Sequence, residues 1–355
     1  MSRFVAVLSG GIGERFWPAS TPQRPKQLLP LLGQRTMLRE TLERIALAYP
    51  PERTLVITSA ALREAVAREC AELPRDHVIA EPRPRNTAPA VGVAACVALE
   101  VGGPSAAVAV LPSDHVVVDP EAFLATLAHA FEVAEAEPLV VTLGMRPDRP
   151  ETGYGYVTRG EALRPGVFRI ERFHEKPDIA GATDLVHGGR SYWNAGIFVA
   201  AARTILDELT RHAPEIGGLL ANVVAEGPLR GARENGAAFA ALYERAPSVS
   251  FDHAVMERTC AGAVVPAEFG WDDVGSWEAM ARLLERDAAG NAVRGAARLA
   301  DASDNILFAE EGRITVIGAS NLVVVRSGAE TLVCSRDRLP ELRELLKGLN
   351  GSGGR

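Results

Sequence analysis

Through about residue 145 short apolar runs alternate with helical patterns, and this alternation limits the fold more than any other feature of the chain. Phe4–Leu8, Thr54–Thr58, His77–Ala80, Ala106–Leu111 and Leu139–Leu143 read as strands. Thr36–Ala48, Ala61–Leu73, Thr87–Glu100 and Pro120–Glu135 read as the helices between them. Such an order predicts right-handed βαβ units, and so an α/β protein with a mainly parallel sheet flanked by helices. Ligands then bind beyond the carboxyl ends of the strands. The loop from Ser9 to Pro30 and the segment Pro112-Ser113-Asp114-His115 both fall at such ends.

Between 150 and 200 the pattern changes. Thr152–Thr158 and Val167–Phe173 read as strands of an antiparallel excursion, which makes the sheet mixed, and Trp193–Val199 returns to it. Helices follow to about residue 246, and Trp271-Asp-Asp-Val-Gly-Ser-Trp277 opens another. From about 291 the chain turns to short β runs, Asn305–Phe308, Ile314–Ile317, Leu322–Val325 and Thr331–Cys334, then a helix from Pro340 to Leu349. We expect a large domain over 1–290, a small β appendage over 291–350 resembling one or two coils of a β-helix, and a disordered tail over 351–355.

Composition excludes some classes. Of the 355 residues 47% are apolar and 23% charged, the balance of a globular protein. A net charge of −7 argues against a nucleic-acid binder, whose footprint is basic, but leaves phosphorylated ligands open. Cys70, Cys96, Cys260 and Cys334 form no C-x-x-C pair and read as reduced thiols. No apolar run approaches a membrane span, so no membrane partner is expected and the cytoplasm is the expected location.

Of 38 lysines and arginines only three are lysine. Lys347 lies in the terminal helix, whereas Lys26 and Lys176 sit in Arg24-Pro-Lys-Gln-Leu-Leu-Pro30 and His174-Glu-Lys-Pro177. A chain that has replaced lysine almost everywhere keeps it where a compact ammonium fits and a planar guanidinium does not. Ahead of Lys26, Gly10, Gly11 and Gly13 follow the first strand and can present backbone N–H groups to phosphate, with Arg15 adding positive charge. An ordinary glycine-rich strand exit is the alternative. A P-loop is ruled out because Glu14-Arg15 stands where Lys-Ser/Thr is needed. Lys26 reads as a surface-loop cation whose removal leaves folding little changed.

Asp114 ends an apolar strand and can hold Mg²⁺ against a ligand phosphate, since Mg²⁺ takes few protein carboxylates. Asp272-Asp273 offers a second carboxylate. The alternatives are a turn cap at Asp114 and a helix N-cap at Asp272-Asp273. The seven histidines show no metal spacing, and no G-x-S-x-G elbow appears. Phosphoryl-type transfer suits a site of cations and metal, because its catalysis is mostly positioning and charge neutralisation.

Taken in order, several segments resemble the mannose-1-phosphate guanylyltransferases among the sugar-nucleotide pyrophosphorylases. They are Gly10–Pro18 with Pro25-Lys-Gln27, Glu81-Pro82 with Arg85-Asn-Thr-Ala-Pro89, Leu111–His115, Thr152–Gly155, Phe173–Pro177, Trp193–Gly196 and Trp271–Trp277. The resemblance covers roughly residues 3 to 335. It implies the Rossmann-like nucleotide-diphospho-sugar transferase fold of a bacterial enzyme, with Mg²⁺ as cofactor and GTP and mannose 1-phosphate as substrates. The products would be GDP-mannose and pyrophosphate. By the same resemblance Leu8, Gly10, Gly11, Gly13 and Arg15 would cradle the GTP, with Lys26 at the α-phosphate. Arg85, Asn86 and Thr87 would lie near the guanosine, and Asp114 and Asp273 would hold the metal. Glu175 would take sugar hydroxyls, Lys176 the sugar phosphate, and Gly155 and Asn194 the hexose; a structural turn is the other reading of Asn194. His174 stands where valine is common. The chain ends where bifunctional relatives continue into an isomerase domain, so isomerase activity is not expected; a homodimer through the β appendage is. The rival readings are a pyrophosphorylase for another hexose 1-phosphate or NTP, such as glucose 1-phosphate, and a non-catalytic regulatory paralogue that binds a nucleotide sugar.

Overall fold

The computed structural model describes residues 2–346 other than Ile12 and Arg343, and all of their side chains but that of Glu14. The expected 351–355 tail, Lys347 and the far end of the expected 340–349 helix lie outside the described residues. The chain forms two compact units. The first comprises Met1–Gly10, Thr41–Ser113 and Val117–Trp271, the second Gly11–Glu40, Asp114–Val116 and Asp272–Arg355. The unit that holds the β-rich segment therefore takes in far more than residues 291–350: it includes most of the glycine loop and Lys26.

The first unit is built on a nine-stranded sheet. Its strands are β1 (Arg3–Ser9), β2 (Thr54–Ser59), β3 (Val78–Glu81), β4 (Ala107–Pro112), β5 (Val140–Met145), β6 (Tyr156–Arg164), β7 (Val167–His174), β8 (Ser191–Ala201) and β9 (Gly262–Ala267). The spatial order is β3-β2-β1-β4-β8-β5-β9-β7-β6, with β6 also paired to β8. Strands β3, β2, β1 and β4 run parallel, as the alternation predicts. Phe4, Val5, Ala6 and Val7 are all fully buried, the unbroken apolar run of a strand covered on both faces. Strand β8 enters antiparallel to both neighbours, with Ala107 opposite Ala201 and Val141 opposite Val199. The sheet is thus mixed at its centre as well as at its β6–β7 excursion.

Three details differ from the sequence reading. The strand expected over Thr152–Thr158 starts only at Tyr156, because Glu151–Gly155 forms a turn in which the Glu151 N–H donates to the Tyr156 hydroxyl at 2.9 Å. No strand is expected at Gly262–Ala267, yet β9 lies parallel to β5 there. Its Pro266 is a residue that argues against a strand inside a sheet. The helix Thr87–Gly102 is buried over most of its length and packs on helices Ala202–His212 and Pro214–Glu226. A Cβ at Gly92 would fall 2.4 Å from Leu220 Cδ1, so this glycine sets how closely the helices approach.

In the second unit β10 (Ala292–Ala300), β11 (Ile306–Ile317), β12 (Leu322–Ser327) and β13 (Glu330–Ser335) form a sheet in that order. The pairs β10–β11 and β11–β12 are parallel although their connections are short, the signature of a β-helical coil; β13 closes the sheet antiparallel. A ladder of buried asparagines holds the coils in register. Asn305 Nδ2 donates to Asn291 Oδ1 at 2.9 Å, and the Leu322 N–H donates to Asn305 Oδ1 at 2.9 Å. The two strands expected at Asn305–Phe308 and Ile314–Ile317 are one strand, whose register against β10 shifts between Arg294 and Ala296. Gly295, at φ +96°, permits that bulge: a Cβ there would lie 2.0 Å from the Ala309 carbonyl oxygen. The terminal helix opens earlier than Pro340, with a 3₁₀ turn over Arg336–Glu341.

Candidate active site

The expected site residues divide between the two units. In the second unit the glycine loop and Lys26 are built as one piece. Gly13 has φ +64°, and a Cβ on it would lie 2.6 Å from Lys26 Cβ, so only glycine lets the lysine stem pass. The loop is tied down by Ser20 Oγ donating to the Gly13 carbonyl at 2.6 Å and by Gln27 Nε2 donating to the Gly11 carbonyl at 3.0 Å. Phe16 packs edge-on against Trp277 with ring centroids 4.9 Å apart, and Trp277 Nε1 donates to the Trp17 carbonyl at 3.2 Å. Arg24 pairs with Glu310 of β11.

Lys26 is 5% exposed. This corrects its reading as a surface cation, and the physical reason is that its ammonium finds two oxygen partners. It pairs with Asp114 Oδ2 at 3.0 Å and donates to the Asp273 backbone carbonyl. Burial alone would raise the Asp114 carboxyl, but the Lys26 ammonium, followed by His115, outweighs it and holds the group below the usual carboxylate range. The helix Trp277–Leu283 takes Ser276 as its N-cap, with Ser276 Oγ accepting from the Ala279 N–H at 3.2 Å, so neither Asp272 nor Asp273 is the cap. Asp272 instead accepts from the Val274 N–H at 2.7 Å and pairs with Arg282 at 3.2 Å. Val274 is held at φ +49°, a strained conformation for a β-branched residue. Beyond it a Cβ built on Gly275 would lie 3.2 Å from Asp273 Oδ1 and 3.3 Å from Arg15 Nη1, so both side chains border that backbone. Arg15 is exposed.

Among the described residues no group of three or more Asp, Glu, His or Cys gathers as a metal cluster. Asp114 and Asp273 offer hard carboxylate oxygens from the two chain segments that Lys26 bridges. Such a set fits Mg²⁺, which takes one or two carboxylates and completes its shell with phosphate oxygens and water.

In the first unit Leu8 and Gly10 lie at the end of β1, with the Leu8 carbonyl accepting from the Ser113 N–H at 3.0 Å. Arg85 does structural work: its guanidinium donates to the Tyr243 carbonyl at 2.6 Å and the Glu244 carbonyl at 2.5 Å, capping the end of helix Ala237–Arg245. Asn86, at φ +63°, caps helix Thr87–Gly102, and Thr87 Oγ1 accepts from the Phe251 N–H at 2.8 Å. Glu81, 7% exposed at the end of β3, is pushed up to about 7 by burial.

Gly155, Glu175, Lys176 and Asn194 come together in the same unit. A Cβ on Gly155 would meet Glu175 Oε2 at 2.9 Å and Asn194 Cβ at 3.5 Å, and the Asn194 N–H donates to the Gly155 carbonyl at 2.8 Å. Asn194 is no simple turn residue, since its side chain is buried and bonded on both ends. Its Oδ1 accepts from Thr142 Oγ1 at 2.7 Å and from the Gly196 N–H at 3.2 Å, and its Nδ2 donates to Asp252 Oδ1 at 2.9 Å. The Lys176 side chain is 59% exposed at φ +45° and pairs with Glu175. His174 ends β7 with its Nε2 3.2 Å from Thr158 Oγ1; burial, then Arg172, lowers its pKa. Sequence reasoning omits Asp252. The one signal was an aspartate between the apolar Phe251 and Ala254–Met256, in a segment of which Asp252–Met256 folds as a π-helical turn.

Comparisons with known proteins show which family the chain resembles. A nucleotidyl transferase family model matches residues 5–289, and a model described as a MannoseP isomerase/GMP-like β-helix domain matches residues 298–349. The xanthan biosynthesis protein XanB of Xanthomonas campestris pv. campestris is 39% identical over 354 residues, covering 98% of this chain and 73% of that protein. The mannose-1-phosphate guanylyltransferase RfbM of Salmonella typhimurium is 36% identical over 354 residues, covering 98% of this chain and 72% of that one. A solved structure from Thermus thermophilus, described as a mannose-1-phosphate geranyltransferase, superposes with a TM-score of 0.89 at 38% identity, covering 99% of this chain and 100% of that one. With matches of this identity along nearly its whole length, the chain belongs to the nucleotidyl transferase family and, within it, to the mannose-1-phosphate guanylyltransferases.

Proposed function

We propose that the protein transfers GMP from GTP to α-D-mannose 1-phosphate, giving GDP-mannose and pyrophosphate. A phosphate oxygen of the sugar attacks the α-phosphorus in line while pyrophosphate leaves. The attacking phosphate is already largely ionised at neutral pH, its second pKa being about 6, so no general base is needed. The chain's task is to bring two anions together and neutralise the charge that develops.

The observation that carries this reading is the buried Lys26 ammonium, fixed by Asp114 and the Asp273 carbonyl beneath a glycine loop that only Gly13 can form. A cation held so before substrate arrives costs no reorganisation during reaction. The N–H groups of Gly10, Gly11 and Gly13 with the exposed Arg15 take the GTP phosphates, and Lys26 acts at the α-phosphate. Asp114 and Asp273 hold Mg²⁺, which when bound neutralises phosphate charge and orients the oxygens. Asn86 and Thr87 lie toward the guanosine, and Arg85 acts there through the backbone it fixes. Lys176 binds the sugar phosphate, while Glu175, Asn194 and Gly155 hold the hexose.

The reaction belongs to the cytoplasm, where GTP is made. Among the described residues no helix is long and apolar enough to cross a membrane. A homodimer through the β-helical sheet is part of the same reading, supported by the exposed Ile317 and Val333 side chains. The test of function is pyrophosphate release with Mg²⁺ over four NTPs and several hexose 1-phosphates. We expect GTP with mannose 1-phosphate to give the highest kcat/KM. A higher value with glucose 1-phosphate or another NTP reassigns the substrate, and no release from any pair overturns the enzyme reading.

A further inference from the structure

We propose that Asp252 is a further hexose-binding and positioning residue: its Oδ1 fixes the Asn194 amide, and its second oxygen, beside the Glu175 carboxylate, accepts a hydroxyl of the sugar. The proposal rests on the reading that this chain takes a hexose 1-phosphate.

The hydrogen bonds of Asn194 leave one orientation open to its amide. With Oδ1 facing the Thr142 hydroxyl and the Gly196 N–H, Nδ2 faces Asp252. A flipped amide would set its N–H groups against the Gly196 N–H and its oxygen against a carboxylate. Asp252 therefore selects the orientation that Asn194 presents to a ligand. Among the described residues Asn194 is the one side chain that donates to Asp252. A carboxylate has about four acceptor positions, so capacity remains for a donor from outside the protein.

The surroundings suit a hydroxyl-rich ligand. Glu175 lies against Gly155, whose missing Cβ leaves space 2.9 Å from Glu175 Oε2. Asp252 lies in the π-helical turn Asp252–Met256, a distortion that recurs at functional sites. Burial, then the Glu175 charge, raises the Asp252 carboxyl to about 6, while a hydrogen bond from its own backbone N–H, then Lys176 and His253, oppose the rise. His253 is engaged by Ser250, with Nδ1 2.8 Å from Ser250 Oγ. Glu175 pairs with Lys176 and Asp252 takes the Asn194 amide, so each carboxyl keeps acceptor positions, and sugar hydroxyls are donors suited to them. Hydroxyl binding favours the ionised carboxylate, so sugar affinity should rise as pH rises through about 6.

The test is steady-state kinetics of the full chain between pH 5.5 and 8, with mannose 1-phosphate and GTP varied in turn. The variants are Asp252→Asn, Asp252→Ala and, as a control, Glu175→Gln. The sugar phosphate's own ionisation is common to all, so only differences between variants count. Asp252→Asn keeps an acceptor for Asn194 and should raise KM for mannose 1-phosphate about tenfold, leave KM for GTP within about twofold, and flatten the pH dependence of the sugar KM. Asp252→Ala frees the Asn194 amide and should lower kcat as well. If both Asp252 variants keep a wild-type sugar KM at every pH while Glu175→Gln raises it, Asp252 is structural and the proposal fails alone. If Glu175→Gln is silent too, the assignment of the hexose half fails with it. A wild type inactive with every hexose 1-phosphate overturns the functional reading and the proposal together.

Discussion

The two units treat a sheltered carboxyl in opposite ways. In the second, Asp114 is held below its ordinary range because Lys26 is buried beside it. In the first, Glu81 rises to about 7 and Asp252 to about 6, because burial is the largest influence and, among the described residues, no buried lysine answers it. The lysines follow the same division. Lys26 is 5% exposed and locked by protein oxygens, whereas the Lys176 side chain is 59% exposed with Glu175 as its partner. The contrast separates a kind of site whose charges are already answered by protein groups from one whose carboxyls keep open acceptor positions. A nucleotide triphosphate, with high charge and demanding geometry, suits the first kind of site. A sugar phosphate, recognised largely through hydroxyls, suits the second.

The largest expected effect comes from Lys26. Lys26→Ala should lower kcat about 10²-fold or more, roughly 3 kcal/mol of transition-state stabilisation. It should also destabilise the fold by about 2 kcal/mol, below the ~3–5 kcal/mol of a fully buried pair because the Asp114 side chain is 31% exposed. Thermal denaturation beside turnover separates the two losses. A variant with near wild-type kcat would remove Lys26 from the chemistry and erase the contrast.

Next comes the pH dependence of stability. A carboxyl raised in the fold, like Glu81, contributes stability that is fully present below its unfolded value of 4.5 and lost as pH rises through about 7. Glu81→Gln removes that loss, so the variant should gain up to about 3 kcal/mol on wild type between pH 4.5 and 8. Asp114 behaves in the opposite sense: its contribution is present above the unfolded value of 3.8 and disappears as pH falls through its lowered folded value. Equal pH dependence of denaturation in Glu81→Gln and wild type would contradict the assignment.

The metal pair sharpens the comparison further. Asp114→Asn and Asp273→Asn should each raise the Mg²⁺ concentration for half-maximal rate several tens of fold, and the double variant should be little worse than either single. Were Asp273→Asn to change only the melting temperature, its carboxylate would belong to the turn at Val274.

The alternation of strands and helices made the parallel half of the sheet legible, because apolar runs such as Phe4–Leu8 are dictated by burial on both faces. The direction of β8 was not legible, since an apolar run carries no sign of which neighbour it will join. Strand β9 was hidden by Pro266, and the single strand β11 by the glycine and charges at its middle. Around the site, glycine spacing and scarce lysine pointed to Lys26, but its burial depends on Asp114 and Asp273, far away in sequence. Asp252 was missed because its meaning lies in a π-helical turn and a bond to Asn194, neither of which has a local pattern.

The division of labour between the two lysines is the central claim, and Lys176→Arg tests it most directly. The substitution keeps the charge but replaces a compact ammonium with a wide fork, on a residue held at φ +45° beside Glu175. Steady-state kinetics with each substrate varied should show KM for mannose 1-phosphate raised about tenfold, roughly 1.4 kcal/mol, with KM for GTP within about twofold. An arginine variant that matches wild type for both substrates, or one that loses GTP instead, would contradict the account.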